Sequence, residues 1–587
     1  MCGFFSTFFS NKILDEELNQ KCISGLKLLS HRGPDDFNYL THKNNFLGFA
    51  RLSIIDQNYG KQPMFNKDKS MAILFNGEIF NYKELRNLLK SKNVNLITNS
   101  DTEVLLNLYS IYKKNVYKYL RGMFSFVIYD FKNNEIYGAR DRFGIKPFYY
   151  YHDSQGNYLF SSEPKSIRKY FENNISFDKN KLSEFVIFGY SADENSFYEN
   201  IKTLKPGNSF LIKNNIMKIN KEWEPFQNHD EEINISEKEA TNNLEKFFDD
   251  AINLWLTSDV PVASLMSGGI DSSAVTNCAR QYNNIKSFSV IFPDDQNINE
   301  QKNIEDIINY SNNSNYEILS FEENIAYENI NEVIKAFDAP INDPNNMTLF
   351  ALCNQIKNDF EYKVVLCGEG ADELFAGYPR HIDFYNKIKR NENISDLVLG
   401  NNYLSIERLE KIDWNLSYNF DERKKILNSL NSKKLLNNIL EYDQKTFLQS
   451  RLYCQDIIGM ANSIEIRTPF LEHNLADFVN SLPTKFKHNG IYTKYLLRNI
   501  AEKYLPKNVC WDKKKVALNI PYSKLLNKGF LNKLFIKNIN KNSLISNFCN
   551  IEKLKNLFNS HKPNHQFDDH SNTLWRLLAL ELWLKTI

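Results

Sequence analysis

Val262-Ala-Ser-Leu-Met-Ser-Gly-Gly-Ile-Asp-Ser-Ser273 is the stretch that decides how the second half of the chain folds. Its first five residues, Val262–Met266, form a short apolar run without helical period, which reads as a buried strand. Gly268 and Gly269 then turn the chain, and a helix is expected from about Ser272. Strand, glycine turn and helix in succession open a parallel α/β unit. The two glycines let the backbone approach an anion closely. Successive N–H groups, the hydroxyls of Ser267, Ser272 and Ser273 and the helix N-terminus then converge on it. Asp271 would be repelled by a phosphate unless a cation intervened, so the loop points to Mg²⁺ bound jointly with ATP. The Gly-x4-Gly-Lys-Ser/Thr spacing of Walker-type NTPases is missing, which excludes that class.

Working outward, Ser287-Phe-Ser-Val-Ile-Phe292 and Lys363-Val-Val-Leu366 read as further buried strands with helical patterns between them. Val364-Val-Leu-Cys-Gly-Glu-Gly-Ala-Asp-Glu-Leu-Phe375 sets carboxylates after a strand end, where ligands of open α/β sheets gather. Asp372 is read as a second Mg²⁺ ligand beside Asp271. Glu369 is read as acting on the acceptor or its adenylate, and Glu373 as a charged helix start. Upstream, Leu244, Phe247, Phe248, Ala251, Ile252 and Trp255 recur at helical spacing and face a core. The polar, acidic stretch 228–239 reads as a linker, giving expected domains 2–220 and 235–587. From Asp383 on, the chain looks mostly helical.

The first half alternates short aromatic and β-branched runs with turn residues. Met71–Phe75, Phe124–Tyr129 and Phe148–Tyr151 read as strands of a layered, largely antiparallel structure. A helix is expected over Asn81–Leu89, with Leu85, Leu88 and Leu89 on one face. Cys2 becomes the terminal residue if Met1 is removed, and its α-amine, with a pKa of about 7.7–8.0, is then the base for its own thiol. Many chains begin Met-Cys by chance, so the reading needs other parts. Asn76-Gly-Glu78 follows a predicted strand, and an Asn amide with a Gly N–H makes an oxyanion hole. Arg51 and Asp101 suit the α-carboxylate and α-ammonium of an amino acid, although either alone also suits a structural ion pair.

Composition bounds the rest. At 587 residues the chain is too long for one core. With 42% hydrophobic residues it is not mainly disordered. Lys+Arg and Asp+Glu number 72 and 71, so the basic excess of a nucleic-acid binder is missing. No apolar run reaches the length of a membrane span. The eight cysteines are scattered, with no CxxC pair, which points to reduced thiols and the cytoplasm. For Cys22, Cys278, Cys353, Cys454, Cys510 and Cys549 plain core packing is expected.

Met1-Cys-Gly3, His31-Arg-Gly-Pro-Asp-Asp36, Arg51-Leu-Ser-Ile54, Phe75-Asn-Gly-Glu78, Ser100-Asp-Thr-Glu103 and Ala139-Arg-Asp-Arg-Phe-Gly-Ile-Lys-Pro147 stand in one order. They resemble the glutaminase domain of class II amidotransferases. The Ser267–Ser273 loop resembles that of ATP pyrophosphatases. With Val364–Phe375 and Ser463-Ile-Glu-Ile-Arg-Thr-Pro-Phe-Leu471, the second half looks like the synthetase domain of glutamine-hydrolysing asparagine synthetases. The resemblance implies a mixed α/β and α+β fold. An N-terminal nucleophile layered β-sandwich would be followed by a doubly wound parallel-sheet ATP-pyrophosphatase domain with a helical C-terminal part. It also implies an activity: Cys2 hydrolyses glutamine, and ammonia passes to a carboxylate adenylated by Mg-ATP, aspartate first.

By the same resemblance Arg51, Ile55, Asn76, Gly77, Glu78 and Asp101 hold glutamine, with Asn76 and Gly77 at the oxyanion. Leu265, Ser267, Gly268, Gly269, Asp271, Ser272, Ser273, Val290, Gly368 and Glu369 hold ATP, and Asp271 and Asp372 the Mg²⁺. Lys515 would act on the leaving pyrophosphate. Glu465 and Arg467 suit structural and site roles equally, and a homodimer is allowed. Departures are Phe49 for His, Cys367 for Ser, Ala376 for Gly and Lys513 for Arg; the last three put the acceptor in question. A uronic acid sugar is the alternative acceptor. An RNA-modifying enzyme with the same loop is opposed by the near-neutral charge, and a non-catalytic homologue by the retained chemical groups.

Overall fold

Strand Cys2–Phe8 is buried along its whole length, and its alternation sets the layers of the first half. Cys2, Phe4 and Phe8 point into a core between two sheets, while Phe5 and the following Phe9 face the opposite way. The computed structural model describes residues 2–10, 12–192, 196–227, 232–293, 299–320, 323–390, 392–400, 403–513 and 520–587. One six-stranded antiparallel sheet runs Lys202–Thr203, Tyr149–His152, Tyr158–Ser161, Cys2–Phe8, Asn45–Arg51, Asp36–His42. The other runs Ile216–Lys221, Asn208–Lys213, Glu135–Arg140, Gly122–Asp130, Met71–Ile79, Met64–Phe65. Ala72 and Leu74 face the inter-sheet core. Ile73 and Phe75 share the outer one with Leu85, Leu89 and Leu105 of helices Tyr82–Ser91 and Asp101–Tyr112. On the other outer face, Cys22 and Leu26 of helix Glu16–Lys27 pack in one cluster with Phe5 and Phe46. The result is the expected layered sandwich, and Phe49 lies between its sheets as a packing residue.

The second half is built on a five-stranded parallel sheet, in the order Tyr316–Ser320, Lys286–Ile291, Val262–Leu265, Val364–Leu366, Glu465–Arg467. The chain builds to one side of Val262–Leu265 and then returns to its other side. The crevice of this switch point lies at the C-terminal ends of Val262–Leu265 and Val364–Leu366. Helix Ile270–Ala279 begins two residues before the expected Ser272, with Gly269 extended as its cap, so Asp271 falls in the first turn. Glu465–Arg467, in a region expected to be helical, is instead the edge strand; three residues are too few to show a period.

The linker expectation needs correcting too. Residues 228–231 lie outside the described residues, and 237–239 already belong to helix Glu237–Trp255. Ser236 Oγ accepts from Glu239 N, so this acidic stretch is in part a helix start of the Ser-x-x-Glu kind. The stripe on that helix is buried as expected, with Phe247 only partly so.

Candidate active site

Cys2 pairs in register with Arg51, and its N donates to Asn76 Oδ1 at 3.1 Å. That bond orients the Asn76 amide. Its Nδ2 is buried and, among the described residues, has no partner. A buried donor without an acceptor beside a thiol is a seat for a developing oxyanion. Asn76, Gly77 and Glu78 lie inside strand Met71–Ile79, not after it as expected. Gly77 has φ +147°, and a side chain there would sit 2.1 Å from Met123 O, so the position takes only glycine. Burial pushes the Cys2 thiol up, opposed by the positive chain terminus and Arg51.

Arg51 donates to Gln57 O at 2.9 Å and to Ile55 O and Asp56 O at 3.0 and 2.8 Å, so it shapes the loop that carries Ile55. Asp101 Oδ2 accepts from Ile79 N at 3.0 Å, and burial pushes its carboxyl up to about 6. Glu78 is pushed well above the usual carboxylate range, first by burial and then by Asp101 and Glu465. Glu465 receives a buried bond of 2.6 Å from Arg467, whose guanidinium also lies over Phe80 of the first half.

At the switch point, the Ser267–Ser273 loop is held by its own hydroxyls. Ser272 Oγ accepts from Ser267 N at 2.9 Å, Ser267 Oγ accepts from Gly269 N at 3.1 Å, and Ser273 Oγ donates to Ser267 O at 2.7 Å. The neighbouring strand end meets it directly, since a side chain at Gly368 would fall 2.6 Å from Ser272 N. Leu265 ends the central strand, and Val290 is buried on the next. Asp271 and Asp372 converge on one ammonium, Lys494 Nζ, at 2.5 and 2.7 Å. Burial works against that ammonium, but the two carboxylates hold it above its usual range. Two carboxylates fit a Mg²⁺ completed by water and phosphates, and among the described residues no larger metal-ligating cluster exists.

Glu369 receives Arg451 Nε and Nη2 as a fork, both at 3.2 Å, and Gln455 Nε2 at 3.1 Å. Glu373 is no solvated helix start. It is fully buried, accepts from Tyr378 Oη at 2.9 Å, and is pushed up to about 8, first by burial and then by Glu369 and Asp372. Lys515 lies outside the described residues, and Lys513 sits over the Tyr492 ring.

Sequence reasoning missed Lys494, Arg451, Gln455 and the link between the two sites. Arg32 donates from Nε to Cys2 O at 3.0 Å and from Nη2 to Asp456 Oδ2 at 2.8 Å. Asp456 lies on helix Phe447–Ala461, which also carries Arg451 and Gln455. One helix thus touches both the Cys2 region and Glu369. Arg32 stands within the His31–Asp36 motif, and Arg451 and Gln455 sit four apart on an otherwise largely buried helix. For Lys494 no local pattern exists.

Residues 243–585 match the family described as asparagine synthase, and residues 1–224 the glutamine amidotransferase domain. Asparagine synthetase (glutamine-hydrolyzing) 1 of Bacillus subtilis (strain 168) is 31% identical, over 99% of this chain and 96% of the relative. Asparagine synthetase (glutamine-hydrolyzing) 3 of the same organism is 28% identical, over 89% and 87%. A Penicillium rubens protein named amidase chyE is 27% identical, over 84% of each. No helix among the described residues is long and apolar enough to cross a membrane. Matched over both halves, the chain belongs to the asparagine synthase family of glutamine-dependent ligases.

Proposed function

We propose that this chain amidates a carboxylate with nitrogen from glutamine and energy from ATP, and that aspartate is the acceptor, giving asparagine. Once Met1 is removed, the nitrogen now 3.1 Å from Asn76 Oδ1 is a free amine that takes the Cys2 thiol proton. The thiolate attacks the side-chain amide of glutamine while Asn76 Nδ2 and Gly77 N–H hold the oxyanion. Ammonia leaves, and water releases glutamate from the thioester. Ile55, Glu78, Asp101 and the loop shaped by Arg51 hold the amino-acid end. In the other half the acceptor carboxylate attacks the α-phosphorus of ATP and expels pyrophosphate. The Ser267–Ser273 loop cradles the phosphates between Leu265, Val290 and Gly368. Asp271 and Asp372 would hold Mg²⁺, whose charge offsets that of the phosphates. Lys494 ties the two carboxylates together. Ammonia then attacks the acyl-adenylate, Glu369 takes the surplus proton, and AMP departs. The same reading divides the chain into 2–220 and 235–587 and sets the reaction in the cytoplasm.

The observation that supports a coupled reaction is the shared helix: Asp456 bonds Arg32 beside Cys2, while Arg451 and Gln455 bond Glu369. The test mixes protein confirmed by mass to begin at Cys2 with glutamine, Mg-ATP and aspartate. Asparagine, AMP and pyrophosphate are expected in equal amounts. Cys2→Ala should lose the glutamine-dependent reaction and keep the ammonia-dependent one. Glutamate release without asparagine would move the acceptor to another carboxylate. A sugar acid is the second reading, favoured by a roomy cleft of about 580 Å³ beside Arg451.

A further inference from the structure

That cleft is lined by Asp343, Phe447, Arg451, Tyr190, Trp575 and Arg576, among others. Its volume falls in the range, roughly 300–1,000 Å³, of pockets that enclose drug-sized ligands. The proposed chemistry uses only its Arg451 end, next to Glu369. Arg576, on helix Ser571–Leu584, has no part in it. Its Nη1 donates to Val186 O and Ile187 O at 3.2 and 2.5 Å, the last turn of helix Lys179–Phe188, which ends at left-handed Gly189. Those carbonyls, at the negative end of the helix, aim the guanidinium and offset part of its charge without an ion pair. Arg32 has Glu163 and Asp456, Arg423 has Glu184, and Arg451 has Glu369 and Asp343. Arg51 and Arg498 bond main-chain carbonyls, as Arg576 does, but neither of them lines this cleft. Arg576 has no such ion pair among the described residues; the groups that act on it most are Tyr522, Tyr190 and two further arginines. A half-buried guanidinium at a cleft wall, without a carboxylate partner, presents a planar fork that suits a carboxylate or a phosphate.

We infer that Arg576 binds a second anionic group of the acceptor, carried away from the carboxylate that is amidated. The inference rests on the amidotransferase reading and specifies its substrate class: a dianion. The α-carboxylate of aspartate is one such group, and the phosphate of a phosphorylated sugar acid is another. Arg576 is then a specificity residue that holds the acceptor in place, while Glu369 remains at the reacting end.

The experiment measures acceptor-dependent pyrophosphate release from Mg-ATP by the full chain, with ammonia as nitrogen source. Acceptors come in pairs: aspartate against its α-amide, and glucuronate 1-phosphate against glucuronate. In the pair that is used, the dianion should be preferred by at least about ten-fold in kcat/KM. Arg576→Gln should shrink that preference to within about two-fold by raising acceptor KM while ATP KM holds, and Arg576→Lys should recover part of it. The pair that reacts identifies the source of the anion. A preference that survives Arg576→Gln, or none in the wild type, overturns the inference. If no acceptor releases pyrophosphate, the amidation reading has failed at its acceptor, and calorimetric binding of succinate decides the anchor separately. Binding lost in Arg576→Gln, at an unchanged thermal midpoint, supports the anchor; equal binding overturns it.

Discussion

Asn76 carries the sharpest single-residue expectation. Its Nδ2 is buried without a partner beside Cys2, so Asn76→Ala should lower the glutaminase kcat by about 10²–10³, with little change in glutamine KM, read as glutamate release. A comparable fall in thermal midpoint with unchanged kcat would mark Asn76 as structural instead. Glu300 gives a pH expectation. It is buried, accepts from Gly268 N at 3.4 Å, and burial pushes its carboxyl up to about 7. On that shift it is neutral below about 7, and above it carries a negative charge beside the Ser267–Ser273 loop. ATP KM should therefore rise as pH passes about 7, and Glu300→Gln should flatten the profile. Linkage runs the same way. The folded state holds this proton more tightly than the unfolded chain, so the cost of ionising it is absent below the usual carboxylate range and complete above about 7. Denaturation at pH 8 should show Glu300→Gln gaining on wild type, and at pH 4 no gain. At this scale the sequence was legible where chemistry sits in one short run: Cys2, Asn76-Gly77 and Ser267–Ser273. Lys494 was not legible, because a left-handed residue at φ 56° brings it between Asp271 and Asp372 from more than a hundred positions away.

Among the elements, helix Phe447–Ala461 matters most. Asp456 is nearly inaccessible and answers two buried cations, Arg32 at 2.8 Å and Lys146 at 3.4 Å. Asp456→Ala strands the Lys146 ammonium and leaves Arg32 with Glu163 alone, and should cost about 3–5 kcal/mol, measurable in a denaturant midpoint. Asp456→Asn should fold better and separate the two activities. Ammonia-dependent synthesis should persist while the glutamine consumed per amide formed rises; an unchanged ratio would deny the helix a coupling role. Most elements could be read from period and turn residues, since Met71–Ile79 and Val262–Leu265 carry strong local signals. The exceptions have physical causes. Glu465–Arg467 is three residues long and exists as a strand only because Val364–Leu366 is beside it. The acidic stretch before Glu237–Trp255 resembled a linker because residues that favour a helix N-terminus also favour solvent.

On the scale of the molecule, the two halves share buried structure. Arg121 meets Glu472 at 2.8 Å, Lys363 meets Asp35 at 2.7 Å, and Trp414 Nε1 donates to Ser183 Oγ at 3.0 Å. Trp583, fully buried, has its ring 5.3, 5.5 and 5.9 Å from those of Phe177, Phe197 and Tyr198. Calorimetry should therefore show one unfolding transition, and residues 1–226 expressed alone should aggregate; two resolved transitions would contradict this interlocking. Composition and linker signals suggested two domains but said nothing of this, because contacts between positions hundreds of residues apart leave no local period. The Trp583 contact also has a meaning in time. At about 5–20 residues per second, Trp583 leaves the ribosome roughly 20–80 s after Phe177. For that interval the nascent amidotransferase half presents an aromatic socket with nothing to fill it, and it is then a client for whatever chaperone waits at the tunnel exit.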